Sequence, residues 1–427
     1  MKIAVVGAGY VGLITGVGFA KLGHELSIVD IDESRVRLIN KAKPPFFEEG
    51  LEALLREYAG TRIRATTDIS EAIENTDIIF ICVQTYCDEN GCIDLTHIRE
   101  ASRNIGEACE RARMSPLVVV KSTVIPGTTE NVVYPALLEA SVIGNNNGIR
   151  VAFNPEFLQE GKALANFFSP DRIIIGDSGQ NDSAELFDLY RGFDVPVLRL
   201  SIKTAEMIKY ASNSFLATKI SFINEIGNIC KKLGVDVYDV ARGMGLDPRI
   251  SPHFLKAGIG FGGSCLPKDT KALISAAKEL GYHPSLLESV LEVNEQQPGR
   301  MIEVAREKFG DLAGRRVTML GLTFKPDTDD IRDASSLKII GELEKQGARI
   351  MVYDPAAMET VRRMFGTRLE YADSAREAVA HADVVFIVTE WDEFKDPGLY
   401  HGKKVVDGRR VLRLPVGEGI RYEGLCW

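Results

Sequence analysis

Short, nearly continuous runs of Val and Ile alternate with helix-patterned stretches over the first third of the chain. Residues 2–6, 25–30, 77–83, 117–121 and 151–153 read as strands covered on both faces, which predicts an open, parallel α/β sheet. Residues 204–233 then form one long helical stretch whose middle, 215–229, is apolar on nearly every side, the pattern of a helix buried between domains. A glycine-rich loop follows at 258–265, with more helix to about 309. Beyond Gly314 the β/α alternation restarts, with strands predicted at 316–320, 349–353, 383–388 and 404–406. The expected fold is therefore α/β: two doubly wound domains, 1–200 and 301–427, joined by a helical central domain, 201–300, built on the long helix. No short repeat or low-complexity segment interrupts this plan.

Length agrees with several domains, since 427 residues exceed the roughly 250 to 300 at which one hydrophobic core stops growing. No apolar run approaches the roughly 18 to 20 residues of a membrane span, and a strand starting at Lys2 leaves no room for a leader, so a cytoplasmic protein is expected. The net charge of -9, with scattered basic residues, argues against nucleic acid as the main partner. Seven cysteines, an odd number, suit reduced thiols better than a disulfide framework. Cys82, Cys87 and Cys92 recur every five residues but lack the paired spacing of zinc sites, and the histidines are scattered, so no metal is expected.

The first candidate chemistry lies where the first strand ends. Gly7, Gly9 and Gly12 have the spacing of a dinucleotide-binding turn, with Tyr10 and Val11 between the last two, and the second strand ends in Asp30. Such glycines permit a tight turn, approach of backbone to a pyrophosphate and close helix–strand packing, while the helix N-terminus faces the phosphate charge. Asp30 would accept from ribose hydroxyls and repel a 2′-phosphate, which favours NAD; Arg35 nearby is the one residue that suits a 2′-phosphate instead.

Three further segments carry reactive groups. Lys209 and Asn213 stand at i and i+4, on one face of the long helix. Read alone, Lys209 is equally a lysine whose ammonium snorkels to solvent. In GIGFGGSCLPKD the glycines let backbone wrap a ligand and Cys265 follows, with Asp269 four residues later. A cysteine near a lysine or a helix N-terminus is a candidate nucleophile toward an aldehyde, although a cysteine judged by itself is more often structural. Glu156 and Glu160, in NPEFLQEG after a strand of the first sheet, suit proton transfer or water positioning, or else capping of a helix.

With these pieces in place the sequence resembles the UDP-glucose/GDP-mannose dehydrogenase family over essentially its whole length, through GAGYVG at Gly7, KSTVIPGT at Lys121, NPEFLQEG at Asn154, PDRIIIG at Pro170, KYASNSFLATKISFINEI at Lys209, GFGGSCLPKD at Gly260, FKPDTDDIRDASS at Phe324 and DGRRVL at Asp407. The resemblance implies Rossmann-like outer domains, the first binding NAD and the last a UDP-sugar, with central dimerisation. It implies a four-electron oxidation using two NAD in turn: alcohol to aldehyde, thiohemiacetal on Cys265 to thioester, then hydrolysis. By residue match Cys265 is the nucleophile, Lys209 and Asn213 stabilise oxyanions, and Asp269 with a water near Thr123 moves protons; Glu156 and Glu160 line the site, Glu160 by the nicotinamide. Thr85, Ser122, Thr123, Lys268, Arg332 and Arg35 fall on cofactor positions, so Arg35 no longer counts toward NADP. The sugar nucleotide is assigned to Phe157, Leu158, Phe254, Lys256, Phe261, Gly262, Gly263, Phe324, Lys325 and Arg409. Arg249 is expected to come from a neighbouring subunit, hence a homodimer or larger.

Within the family the FLATKISFINEI stretch leans toward UDP-glucose, with GDP-mannose the alternative; Ser264, where N-acetylhexosamine enzymes carry His, argues against those. A catalytically silent sugar-nucleotide scaffold is the rival from another class. Two positions depart from the family pattern: Tyr86 after Thr85, where Pro is usual, and Asn166 before Phe167, where Asp is usual.

Overall fold

A computed structural model describes residues 1–88, 91–139, 148–179, 183–413 and 419–427, and divides them into two compact units, Met1–Ser212 and Asn213–Trp427. In the first, ten strands are formed: β1 (Lys2–Val6), β2 (Glu25–Val29), β3 (Ile63–Thr66), β4 (Ile78–Ile81), the hairpin strands β5 (Tyr86–Cys87) and β6 (Ile93–Asp94), β7 (Leu117–Val120), β8 (Arg150–Phe153), β9 (Ile173–Asp177) and β10 (Val197–Ser201). Eight of them make one sheet in the order β10-β9-β8-β7-β4-β1-β2-β3, parallel from β3 to β8, with β9 antiparallel to β8. Alternation places Ile3 and Val5 of β1 in one core with Leu13, Val17 and Phe19 of helix α1 (Tyr10–Lys21), while Ala4 and Val6 pack into the opposite core with Ile98 and Ile105. Both faces are thus apolar, which is why these strands read as unbroken Val/Ile runs.

The second unit closes on a six-stranded parallel sheet, β13-β12-β11-β14-β15-β16, formed by β11 (Arg316–Leu320), β12 (Arg349–Tyr353), β13 (Glu370–Tyr371), β14 (Val384–Ile387), β15 (Lys404–Asp407) and β16 (Arg421–Gly424). Its order repeats that of β3-β2-β1-β4-β7-β8, so each sheet reverses direction beside its first strand, the place where open α/β folds bind ligands. The outer parts are Rossmann-like, and helices lie between them in sequence: α2 (Ile202–Leu233), α3 (Leu266–Glu279) and α4 (Ser285–Phe309).

Helix α2 runs 32 residues and contains the unit boundary. The expectation that its middle is buried all round needs correction. Phe215, Phe222 and Ile229 are 63%, 44% and 50% exposed, whereas Ala217 and Ile223 are fully buried. Residues seven apart return to one side of a helix after two turns, so the exposed three form a stripe.

Candidate active site

The turn after β1 is shaped by glycine where nothing larger fits. Gly7 has φ +104, and a Cβ there would stand 2.6 Å from the Cys82 carbonyl oxygen; one on Gly12 would stand 1.8 Å from Gly7 O. A Cβ on Gly9 meets nothing within 4 Å, so that side of the turn is open to a ligand. Asp30, at the end of β2 and buried, accepts from Ala8 N–H at 2.7 Å and from Asp32 N–H at 2.9 Å, with Arg35 Nη1 3.5 Å away. A close-packed turn, an open glycine and a fixed carboxylate fit a dinucleotide. The loops after β4 and β7 are tied together beside it: Thr85 Oγ1 donates to Thr123 O at 2.9 Å and Ser122 Oγ to Val83 O at 2.6 Å. Tyr86 is half-exposed and opens the short hairpin.

At the carboxyl ends of β7 and β8 lies a buried charged layer. Lys209 Nζ donates to both Glu156 Oε1 and Glu156 O at 2.8 Å, so its ammonium does not snorkel. Burial opposes the charge on Glu156, but Lys209, the Leu158 N–H at 2.6 Å and Lys121 outweigh it and hold the carboxyl below its usual range. Lys121 donates to Asn154 Oδ1 at 2.8 Å; burial pulls its ammonium down to about 8, with Cys82 and Glu156 opposing. Asn154 is locked by Tyr190 and by Ile174 O. The Phe157 ring lies 3.8 Å from the Arg172 guanidinium and 5.4 Å from Lys209 Nζ. Glu160 follows in the loop, and neither glutamate caps the short helix Ala163–Phe168. Asn166 accepts from Gln159 N–H at 2.9 Å, a bond that the usual Asp would also accept, so this departure conserves the loop.

In the second unit Cys265 is exposed and is the N-cap residue of α3, whose unsatisfied N–H groups point toward it. One turn later Asp269, 1% exposed, accepts from Asn213 Nδ2 at 2.6 Å and from Lys268 Nζ at 2.6 Å. The preceding loop is fastened through its backbone. Asn224 accepts from Gly258 N–H at 2.7 Å and Gln297 donates to Gly258 O at 3.0 Å; Asn294 exchanges bonds of 2.7 and 2.9 Å with Phe261. Gly263, at φ +86, donates to Arg332 O at 2.9 Å, and a Cβ on it would strike the Phe324 ring at 2.8 Å. Gly262 packs more closely still, since a Cβ on it would stand 2.3 Å from Asp333 O.

Arg409 is oriented by its own turn, its N–H given to Asp407 Oδ1 at 2.9 Å and its Nε to Val388 O at 3.2 Å. Lys325 Nζ lies 5.7 Å from the Phe324 ring centroid. Arg332 forms a two-pronged pair with Asp330. Phe254 and Lys256 are exposed, and Arg249, paired with Asp247, leaves 88% of its side chain in solvent. At the crossing in the second sheet Asp354 holds the place that Asp30 holds in the first. Its Oδ2 accepts from Leu322 N–H, Thr323 N–H and Trp391 Nε1, and its Oδ1 from Ala356 and Ala357 N–H, so this carboxylate braces its own loops.

Sequence reasoning passed over the polar residues that brace these loops, among them Asn224, Asn294, Gln297, Lys121 and Glu48. Their signal is a polar side chain on an otherwise apolar helix face or strand end, which sequence alone does not distinguish from a solvated one. Among the described residues no group of His, Cys, Asp or Glu is arranged to hold a metal, and no helix is long and apolar enough to cross a membrane.

Three models of the UDP-glucose/GDP-mannose dehydrogenase family match the chain: the NAD binding domain over residues 1–194, the central domain over 203–296 and the UDP binding domain over 318–414. The chain is 45% identical over 434 residues to the UDP-glucose 6-dehydrogenase AglM of Haloferax volcanii, with 100% of each covered. To the UDP-glucose 6-dehydrogenase YwqF of Bacillus subtilis it is 41% identical over 99% of this chain and 97% of that one. The solved structure of a UDP-glucose dehydrogenase from Pyrobaculum islandicum superposes with a TM-score of 0.94 at 42% identity, covering 100% of this chain and 97% of that one. The glycine turn with Asp30, the cysteine loop and these matches agree: the chain belongs to the UDP-glucose/GDP-mannose dehydrogenase family and is an NAD-dependent oxidoreductase.

Proposed function

We propose that the protein is a UDP-glucose 6-dehydrogenase, which oxidises the 6-hydroxyl of UDP-glucose to the carboxylate of UDP-glucuronate. The observation that carries the reading is the placement of an exposed thiol, Cys265, at the head of α3, one turn before a buried Asp269 that fixes Asn213. A structural cysteine has no need of exposure, of a helix N-terminus or of a carboxylate behind it. When bound, NAD accepts a hydride in each of the two oxidations. Gly7, Gly9, Tyr10, Val11 and Gly12 would hold its pyrophosphate and Asp30 its ribose, with Arg35, Thr85, Ser122, Thr123, Glu160, Lys268 and Arg332 completing its contacts.

The chain's own groups divide the remaining work. Cys265 adds to the C6 aldehyde as a thiohemiacetal, which loses hydride to become a thioester; water then cleaves the thioester and returns the thiol. Lys209 and Asn213, one turn apart on α2, steady the oxyanion that forms at each stage. Asp269, and a water held near Thr123, carry the protons, and Glu156 keeps Lys209 charged and in place. Phe157, Leu158, Phe254, Lys256 and the Phe261–Gly263 backbone grip the sugar nucleotide, and Phe324, Lys325 and Arg409 hold its diphosphate and uridine.

The chain is further read as three domains, 1–200, 201–300 and 301–427, and as a homodimer or larger. The stripe of Phe215, Phe222 and Ile229 supports the oligomer, since large exposed apolar side chains in series suit burial against a second copy. Arg249, extended into solvent, would serve the neighbour's substrate. Seven thiols and no disulfide among the cysteines suit the reducing cytoplasm.

The test is to count NADH released per sugar nucleotide, with UDP-glucose and GDP-mannose run in parallel and the product identified by mass. Two NADH per UDP-glucose with a uronic acid product are expected. Turnover with GDP-mannose alone moves the assignment to that substrate, and thermal protection by ligand without NADH restores the scaffold reading.

A further inference from the structure

Outside the residues assigned above, the most heavily hydrogen-bonded carboxylate near the cofactor turn is Glu48. It stands in PFFEEG, is only 6% exposed, and among the described residues has no arginine or lysine as a hydrogen-bond donor. Oε2 accepts from the Tyr10 hydroxyl in a short bond and from Gly161 N–H at 2.7 Å; Oε1 accepts from Ala163 N–H at 2.6 Å and from Leu164 N–H at 3.4 Å. Gly161 N–H also reaches the Tyr10 hydroxyl oxygen at 3.0 Å, and the Tyr10 ring lies 5.0 Å from that of Phe46. A carboxylate taken out of water is costly unless donors surround it, and here the donors come from two distant segments. One is the first turn of α1, inside the dinucleotide motif. The other begins at the residue after Glu160.

On the near side of Glu160 the chain is fastened as well, by Gln159 N–H to Asn166 Oδ1. Glu160 is therefore the one residue between two pinned amides, at a turn where Gly161 takes φ +76. The Glu160 carboxylate is also close enough to Tyr10 for its charge to help push the phenol's pKa up, after burial and Glu48 itself.

We propose that Glu48 is a positioning residue that fixes Glu160 relative to the dinucleotide turn, with the Tyr10 hydroxyl as the link between the two. The proposal rests on the reading that Glu160 works beside the nicotinamide. It assigns to the buried glutamate of PFFEEG a part in the reaction beside its structural one, because the donors it gathers tie the head of α1, inside the cofactor's turn, to Gly161, the residue after Glu160, and to the head of the helix Ala163–Phe168.

The experiment compares wild type, Glu48→Gln and Tyr10→Phe in kcat, in KM for NAD and for UDP-glucose, and in the pH profile of kcat/KM. Glu48→Gln is expected to lower kcat by about 10- to 100-fold, the range of lost supporting contacts, with little change in KM for UDP-glucose. Its acid limb moves to lower pH, because a negative charge near Glu160 is removed. Tyr10→Phe keeps the ring and the three backbone bonds to Glu48, so it folds even if Glu48→Gln does not; a several-fold loss of kcat with an unmoved limb is expected, because no charge is removed. Wild-type kcat in Tyr10→Phe, or wild-type kcat with an unmoved limb in a folded Glu48→Gln, overturns the proposal while leaving the dehydrogenase reading intact. A wild type that reduces no NAD with either sugar nucleotide overturns both.

Discussion

Lys209 Nζ sits 2.8 Å from the carboxylate of Glu156 and 2.8 Å from that residue's own carbonyl oxygen, so one ammonium clamps both the side chain and the backbone of a single partner. Both side chains are almost fully buried. Breaking such a pair from one side leaves an uncompensated charge, which typically costs about 3 to 5 kcal/mol. Lys209→Met is expected to lose stability toward the small end of this range, because Lys121 still faces Glu156. Adding Glu156→Gln should recover most of the loss without restoring NADH release. Urea unfolding beside a rate assay checks this; a Lys209→Met protein as stable as wild type refutes it.

Cys265→Ser tests the thioester route. The side chain is exposed, so the substitution should leave the unfolding free energy from urea titration within about 0.5 kcal/mol of wild type, as is usual for surface changes. Intact-protein mass and NADH counting should then show either arrest after the first oxidation or a trapped ester. Full conversion of UDP-glucose to the acid by this variant removes Cys265 from its role.

Gly9 and Gly12 should separate binding from folding. A Cβ on Gly12 meets Gly7 O at 1.8 Å, so Gly12→Ala must distort the turn and lower the unfolding midpoint. A Cβ on Gly9 meets nothing, so Gly9→Ala should fold as wild type and lose NADH affinity alone. Equal thermal stability of the two variants, or undiminished NADH binding by Gly9→Ala, contradicts this assignment.

Asp407 gives a pH dependence of definite sign. Burial raises its carboxyl from 3.8 to about 6, with the N–H groups of Leu412 and Arg409 and the Tyr422 hydroxyl opposing. Between these values the folded state binds the proton and the unfolded state releases it, so stability falls as pH rises through this window, by roughly 3 kcal/mol at most. Asp407→Asn cannot titrate, and its unfolding free energy measured from pH 4 to pH 7 should lack this fall. Parallel pH curves for the two proteins would show that Asp407 does not titrate as described.

Much of the fold was legible because it depends on local chemistry. β1, β11 and β12 fall at the predicted residues, since a strand covered on both faces is apolar at most of its positions and glycines lie close to these strands' ends. The strands at 173–177 and 197–201 were not read as strands. β10 leaves most of its side chains exposed, so VLRLS carries no burial pattern, and β9 was noticed only as the PDRIIIG motif.

The sequence by itself determined the alternation of strands and helices, the glycine turn with Asp30 at the end of the next strand and the family to which the chain belongs, because patterns and motifs contiguous in the chain suffice for each. Tertiary structure alone decided which side of α2 stays exposed, that Lys209 is clamped to Glu156 and Asn213 to Asp269, and that Glu48 gathers amides from residues 161 to 164. The reason is separation in the chain. A buried charge or amide is stable only where its partners arrive from distant segments, and neither propensity nor periodicity records which segments meet.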